Sequence, residues 1–142
     1  MSYSPNFRGT TATAGARRLE TDYLNGTGFT LAKGTPVGQD LTGKLALIDI
    51  TSDSSVANIL GIVSMDAPAA SMAPVVDAGR LEALTTTFSI GDAIYIGLDG
   101  LLINVAPSAV GDYVIYVGTV VANQYDSSKK DIKLGIVIRG QL

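Results

Sequence analysis

A β-hairpin pattern in residues 91–104 constrains the fold of this chain more than any other feature. Two runs of apolar, β-branched or aromatic residues lie on either side of the dipeptide Asp99-Gly100. A glycine directly after an aspartate supplies the positive φ that a tight turn between antiparallel strands requires. The pattern therefore predicts two paired strands joined by a turn at Gly100.

The same pattern occurs a second time, nearer the N-terminus. Residues 34–45 align with residues 91–102 without a gap, and the alignment extends outward from Thr30 to Val63. The identical pairs, all 57 residues apart, are Thr30/Thr87, Gly34/Gly91, Leu41/Leu98, Gly43/Gly100, Leu45/Leu102, Gly61/Gly118 and Val63/Val120. Glycine and leucine are common and can match by chance, but an ungapped match of this length favours an internally duplicated β unit.

Strand-like segments continue through the rest of the chain. They cover residues 29–31, 36–39, 44–50, 57–64, 75–78, 80–84, 86–90, 112–121 and 132–139. In the last of these, isoleucine or leucine occupies every second position, which is typical of a strand with one buried face. Residues 51–55 read as an exposed loop, and residues 66–74 as a helical turn or a crossing loop. Many short strands separated by turns predict an all-β fold, either a compact β-barrel or a sandwich.

Residues 1–20 differ from the rest and read as an extended, flexible N-terminal arm. Small and polar residues dominate there, so the segment buries too little apolar surface to order itself. The arm is either a frayed terminus or a segment that orders on a partner. The predicted partner-binding residues are Tyr3 and Phe7 as apolar anchors, with Arg8, Arg17 and Arg18 facing an acidic surface. Residues 21–142 are predicted to form a single β domain.

Composition excludes several kinds of chemistry. The chain of 142 residues contains no cysteine and no histidine. Disulfides, thiol nucleophiles, thiolate metal sites and histidine general bases are therefore impossible. The aspartates lie mostly in predicted turns, and the serines have no base partner. We expect no enzyme and predict no catalytic, cofactor-binding or metal-binding residues.

Two weaker motifs have simpler structural interpretations. Asp49 and Asp53 flank a Ser/Thr loop, but they lack the spacing of a calcium-binding loop. Tyr95, Tyr113 and Tyr116 lie on predicted strands, where core or cross-strand packing explains them. A stacking platform for sugars or bases would require these tyrosines to face outward and to cluster.

Charge and hydropathy bear on partners and location. The net charge is −3, and because residues 1–18 carry three arginines and no acid, the rest carries −6. Such a body is a poor surface for phosphates, so nucleic acid is a disfavoured partner. No apolar run is long enough to span a bilayer, and the N-terminus lacks a signal-peptide core. We therefore expect synthesis in a cytoplasm without membrane insertion.

Residues 91–118 and the C-terminal Arg139-Gly140-Gln141-Leu142 resemble the capsid decoration, or cement, proteins of tailed bacteriophages, which are related to small phage head and fibre proteins. The similarity covers mainly residues 86–142 and is weaker over residues 30–63. It implies a β-rich, commonly trimeric module on the outer surface of the capsid, where it bridges subunits of the major capsid protein. The alternative is a receptor- or carbohydrate-binding module of a tail fibre or baseplate. The family pattern defines the fold and identifies no contact residue.

Overall fold

The computed structural model describes residues 19–142, with side chains from residue 20 onward. This part of the chain forms nine strands and one short helix. The elements are β1 (Leu19–Leu24), β2 (Pro36–Gln39), β3 (Leu45–Leu47), α1 (Asp53–Ala57), β4 (Ile59–Val63), β5 (Met72–Leu84), β6 (Ala93–Ile96), β7 (Leu102–Ile103), β8 (Tyr113–Ala122) and β9 (Lys130–Gln141). The all-β prediction is confirmed.

All nine strands belong to one antiparallel sheet that curls into a half-barrel. Eight of them follow the order β3-β2-β4-β5-β9-β8-β6-β7, and β1 pairs with β5 outside this path. The long strand β5 joins the two halves. Its Val76 pairs with Ile62 of β4 on one side and Glu20 of β1 on the other, whereas its Leu81 pairs with Ile132 of β9.

The register of the sheet confirms the internal duplication. Strands β2–β5 form the first unit and strands β6–β9 the second, with equivalent residues 57 positions apart. Val37 faces Gly61 in the first unit as Ile94 faces Gly118 in the second, and a bulge directly follows Val37 and Ile94 alike. The pairings β4–β5 and β8–β9 share a register in the same way, as do β2–β3 and β6–β7.

Gly61 and Gly118 are equivalent positions of the two units, and the close approach of a neighbouring strand requires glycine at both. A Cβ atom on Gly61 would lie 2.2 Å from the carbonyl oxygen of Val76, and one on Gly118 would lie 2.3 Å from that of Lys133. No side chain fits at such distances, because the obstacle is backbone on the neighbouring strand. Glycine at these positions therefore allows β4 to pack against β5, and β8 against β9.

The core lies inside the curl and contains side chains of both units. Its larger cluster includes Ile48 and Ile62 from the first unit and Ile94, Ile115 and Ile132 from the second. A smaller cluster under β1 contains Leu31, Val37, Leu45, Val63, Ala67, Ala73 and Val75. Because the larger cluster draws on both units, the two units share one hydrophobic core.

The structure corrects several predicted elements. The two short strands expected around Gly79 are one continuous strand, since Gly79 takes a φ of 82° within β5 without ending it. Residues 86–90 form no strand, and of residues 29–31 only Leu31 makes an isolated bridge, to Ala67. Residues 29–31 connect β1 to β2 and residues 86–90 connect β5 to β6, and apart from the Leu31 bridge neither segment pairs with a neighbouring strand.

Two further differences concern residues 19–20 and 53–57. Leu19 and Glu20 belong to β1 and pair with β5, although the predicted arm extended to residue 20. Residues 53–57, expected as loop and strand, form α1. The Ser52 hydroxyl accepts a hydrogen bond from the Ser55 amide at 3.3 Å, and Asp53 lies in the first turn, both favourable at a helix N-terminus.

Across residues 19–142, no helix has the length and apolar character needed to cross a membrane.

Candidate functional site

A row of large side chains crosses the outer face of the second unit. Tyr95 lies directly opposite Ile103 on one side and Tyr116 on the other, and Tyr116 lies opposite Val137. Directly opposed residues of antiparallel strands project from the same face of the sheet. These four residues, termed the outer ridge, therefore form a continuous apolar and aromatic surface across β7, β6, β8 and β9.

The position of the outer ridge follows from the alternation of each strand. In β6 the neighbours of Tyr95, Ile94 and Ile96, are fully buried, so the tyrosine must face away from the core. Tyr116 alternates in the same way with buried residues of β8. Both tyrosines are half-buried, and Val137 is 51% exposed. The outer ridge is therefore accessible to a partner.

Arg139 extends the outer ridge with a positive charge. Its guanidinium carbon lies 4.7 Å from the ring centre of Tyr116 and 5.9 Å from that of Tyr95. The two rings meet edge to face with centres 6.0 Å apart, and the Tyr116 hydroxyl is 2.5 Å from the Thr119 hydroxyl. These contacts restrain the side chains and leave the exposed cation beside an apolar surface, an arrangement suited to binding.

The first unit has no such surface. The equivalents of Tyr95, Ile103, Tyr116 and Val137 are Gly38, Ala46, Ile59 and Arg80. Gly38 sits where a Cβ would lie 2.7 Å from a backbone carbonyl oxygen, and Ile59 packs against the core. The two units share a backbone and a register but differ on this face, so the repeated fold does not require the outer ridge.

A second cluster of polar groups surrounds Asp131 at the junction of β5 and β9. The carboxylate accepts hydrogen bonds from Arg80 Nε at 3.1 Å, the Ala83 amide at 2.9 Å and Asn123 Nδ2 at 2.9 Å. Burial opposes ionisation of Asp131, but these donors outweigh it and lower the pKa. An open cleft of about 470 Å³ beside the cluster is lined by Glu82 and other residues of this junction. Because every partner of Asp131 is internal, the cluster is structural.

The residues considered for calcium binding have internal partners as well. Asp49 accepts hydrogen bonds from the amide and hydroxyl of Thr51, which lower the pKa of its carboxyl group. Asp53 accepts one from the Tyr113 hydroxyl at 2.6 Å, and this bond raises the pKa of Tyr113. In the described part of the chain, no group of three or more acidic residues could hold a metal ion.

The predicted partner-binding residues Tyr3, Phe7, Arg8, Arg17 and Arg18 lie outside the described residues. The outer ridge was not identified from the sequence, although its tyrosines were singled out. Alternation alone could have placed Tyr95 outward. The alignment of Tyr95 with Tyr116 and Val137 also depends on bulges in β6–β8 and β8–β9, which the sequence pattern does not reveal.

Comparison with known proteins gives no family assignment, since no protein-family model matches the chain and no curated protein matches its sequence.

Proposed function

We propose that this protein is a structural component of a bacteriophage virion that binds the outer surface of the capsid and stabilises it by bridging major capsid subunits. In this proposal it works without catalytic turnover or cofactor, assembles as a homotrimer and contacts neither nucleic acid nor membrane. The observation that carries the proposal is the outer ridge with Arg139. It is an exposed apolar and cationic surface on the sheet of the second unit, and the first unit lacks it.

Three further features support a capsid role. The resemblance of residues 86–142 to decoration proteins fits an all-β module. The acidic balance outside residues 1–18 disfavours contact with packaged DNA and favours the outer surface. The basic residues Arg8, Arg17 and Arg18, with Tyr3 and Phe7, are suited to grip a neighbouring coat subunit.

Stabilisation would follow from preferential binding. A protein whose footprint spans two coat subunits binds the assembled shell better than free coat protein. Such binding stabilises the assembled state by about 2.7 kcal/mol per site when the ligand concentration is about 100 times Kd. Because this stabilisation is repeated at many sites, a protein of even modest affinity would help a filled shell to resist rupture.

The test compares particles with and without this protein under heating and osmotic shock. Decorated particles should rupture at a higher temperature, and readdition of purified protein should restore the difference. Equal rupture thresholds, or labelling of the protein only at the tail tip, would contradict the proposal.

The clustering of Tyr95 and Tyr116 favours one alternative, a carbohydrate- or receptor-binding module of a tail fibre or baseplate. Outward aromatic rings can stack on sugars, but here Arg139 lies over the Tyr116 ring. Titration with surface polysaccharide of the host separates the two functions. Saturable binding that is lost in Tyr95→Ala would favour the alternative.

A further inference from the structure

The two repeated units meet through a turn of one and a strand end of the other. In the second unit the β6–β7 turn, residues 97–100, reaches the end of β3 in the first unit. A Cβ on Gly100 would lie 2.9 Å from the carbonyl oxygen of Ile48 and 3.6 Å from the Cβ of Leu47. Gly100 is buried, and Ile48 is only 3% exposed. The second turn (residues 97–100) thus sits on the first shelf (residues 47–48).

The duplication creates another turn and another shelf. The first turn, residues 40–43, is the equivalent of the second turn, and the second shelf, residues 104–105, is the equivalent of the first. Gly43 and Gly100 both have a φ of 82°. The backbone bond that closes the turn is also the same, from Asp40 N to Lys44 O at 2.8 Å and from Gly97 N to Leu101 O at 2.7 Å. The first turn therefore has the shape of the turn that already sits on a shelf.

Neither the first turn nor the second shelf is covered by other residues within residues 19–142. Beyond its chain neighbours, nothing in that range lies within 4 Å of a Cβ built on Gly43. Leu41 at the tip of the first turn is fully exposed, compared with 70% for its equivalent Leu98 in the seated turn. Val105 on the second shelf is 70% exposed, whereas its equivalent Ile48 is buried in the core. The chain thus presents one open turn with Leu41 at its tip and one open shelf in which Val105 follows Asn104.

Only the second turn is seated on a shelf within residues 19–142, and the first turn and the second shelf do not meet. The two units are therefore arranged heterologously, head to tail. A two-fold relation between the units would have formed both contacts, so the arrangement leaves one complementary surface open at each end. We propose that a second copy of this chain fills them, with the first turn of one copy seated on the second shelf of the next. Repetition of this contact forms a ring if the rotation between copies closes.

The first turn is ordered before it binds, which favours association. Asp40 Oδ1 accepts hydrogen bonds from the Thr42 amide at 2.8 Å, the Thr42 hydroxyl at 2.6 Å and the Lys44 amide at 3.1 Å. The backbone of the first turn therefore loses little conformational entropy when the turn meets a partner. The proposal concerns contact between copies and does not depend on what the assembled protein binds.

Two substitutions test the head-to-tail geometry in sedimentation velocity. Leu41→Asp blocks the turn, and Val105→Asp blocks the shelf; both side chains are exposed, so the fold should persist. The unaltered protein should oligomerise as its concentration rises to about 500 micromolar, and each variant alone should lose association at least about tenfold. An equimolar mixture of the two should form dimers and nothing larger, since one intact turn then meets one intact shelf.

Leu98→Asp is the matched control, because Leu98 occupies the same position in the second turn, which is already seated. This variant should associate as the unaltered protein does. The proposal is overturned if the unaltered protein stays monomeric, if the mixture forms no dimers, or if Leu98→Asp weakens association as strongly as Leu41→Asp.

A cross-linking experiment reports the contact directly, since the chain contains no cysteine. Leu41→Cys protein mixed with Val105→Cys protein should form a disulfide-linked heterodimer under mild oxidation. Leu41→Cys mixed with Tyr125→Cys, whose side chain is 99% exposed on another loop, should not. Equal yields from the two mixtures would show random collision and would overturn the proposal.

Discussion

Arg80 Nε donates a hydrogen bond to Asp131 Oδ2 at 3.1 Å and so ties β5 to β9 where the two repeated units meet. Asp131 also receives the amide of Ala83, a residue that adopts a φ of 56° beside the register shift between these strands. The carboxylate therefore holds an irregular stretch of the β5–β9 pairing, through which the two units join within residues 19–142.

We expect Asp131→Ala to destabilise the fold by about 1–3 kcal/mol, because it leaves the Ala83 amide and the Asn123 side chain without their acceptor. Urea unfolding followed by circular dichroism measures the loss. Asp126→Ala is the control, since Asp126 caps an exposed turn through Ser128. Equal losses in the two variants would show that the junction has no special role.

The same residue should make stability depend on pH. The pKa of Asp131 is lower in the folded protein than its ordinary value of 3.8, so its contribution is fully present above pH 3.8 and is lost as pH falls through the folded pKa. Asp131→Asn removes this contribution and leaves those of the other aspartates. Free energies of unfolding measured from neutral pH downward should therefore fall less steeply in the variant, and parallel curves would contradict the assignment.

We expect alanine at Gly61 or Gly118 to destabilise the protein by about 3 kcal/mol or more, since the new Cβ would overlap a backbone carbonyl of the neighbouring strand. Gly135→Ala is the matched control on β9, where a Cβ meets nothing within 4 Å. Thermal melting of the three variants measures the effect. Similar losses at the first two positions would show that the duplicated units share one steric requirement, and a small loss at either would refute it.

Substitution of Arg139 should separate binding from folding. Arg139→Ala removes an exposed cation and its contacts to two rings, so it should change the free energy of unfolding by less than about 1 kcal/mol. Occupancy of the variant on capsids that lack the protein should nevertheless fall markedly in a sedimentation assay. The control is Lys44→Ala, an exposed cation of the first unit. Unchanged occupancy for Arg139→Ala would remove the outer ridge from the proposed interface.

Deletion of residues 1–18 tests the predicted arm. Strand β1 begins at Leu19, so the truncated protein keeps every strand described here, and its melting temperature should stay nearly unchanged. Binding to capsids should weaken, because Tyr3, Phe7 and the three arginines are removed together. Binding as tight as that of the full chain would identify the segment as a frayed terminus.

The sequence by itself determined the fold class, the position of both hairpins and the duplication. These features depend on local chemistry: glycines that permit positive φ at Gly43 and Gly100, and alternation that buries one face of a strand. Such signals need no knowledge of the neighbouring strand, and for that reason the boundaries of β2 and of the hairpin in the second unit agree closely with prediction.

Only the tertiary structure decided which residues meet. Strand β5 continues through Gly79 because β1, β4 and β9 pair along its length, whereas its own residues read as two short strands. The outer ridge depends on bulges that shift β6 against β8, and the open turn and shelf depend on how the sheet curls. Each of these results from pairing between residues far apart in the chain, where a shift of one position moves a side chain to the opposite face.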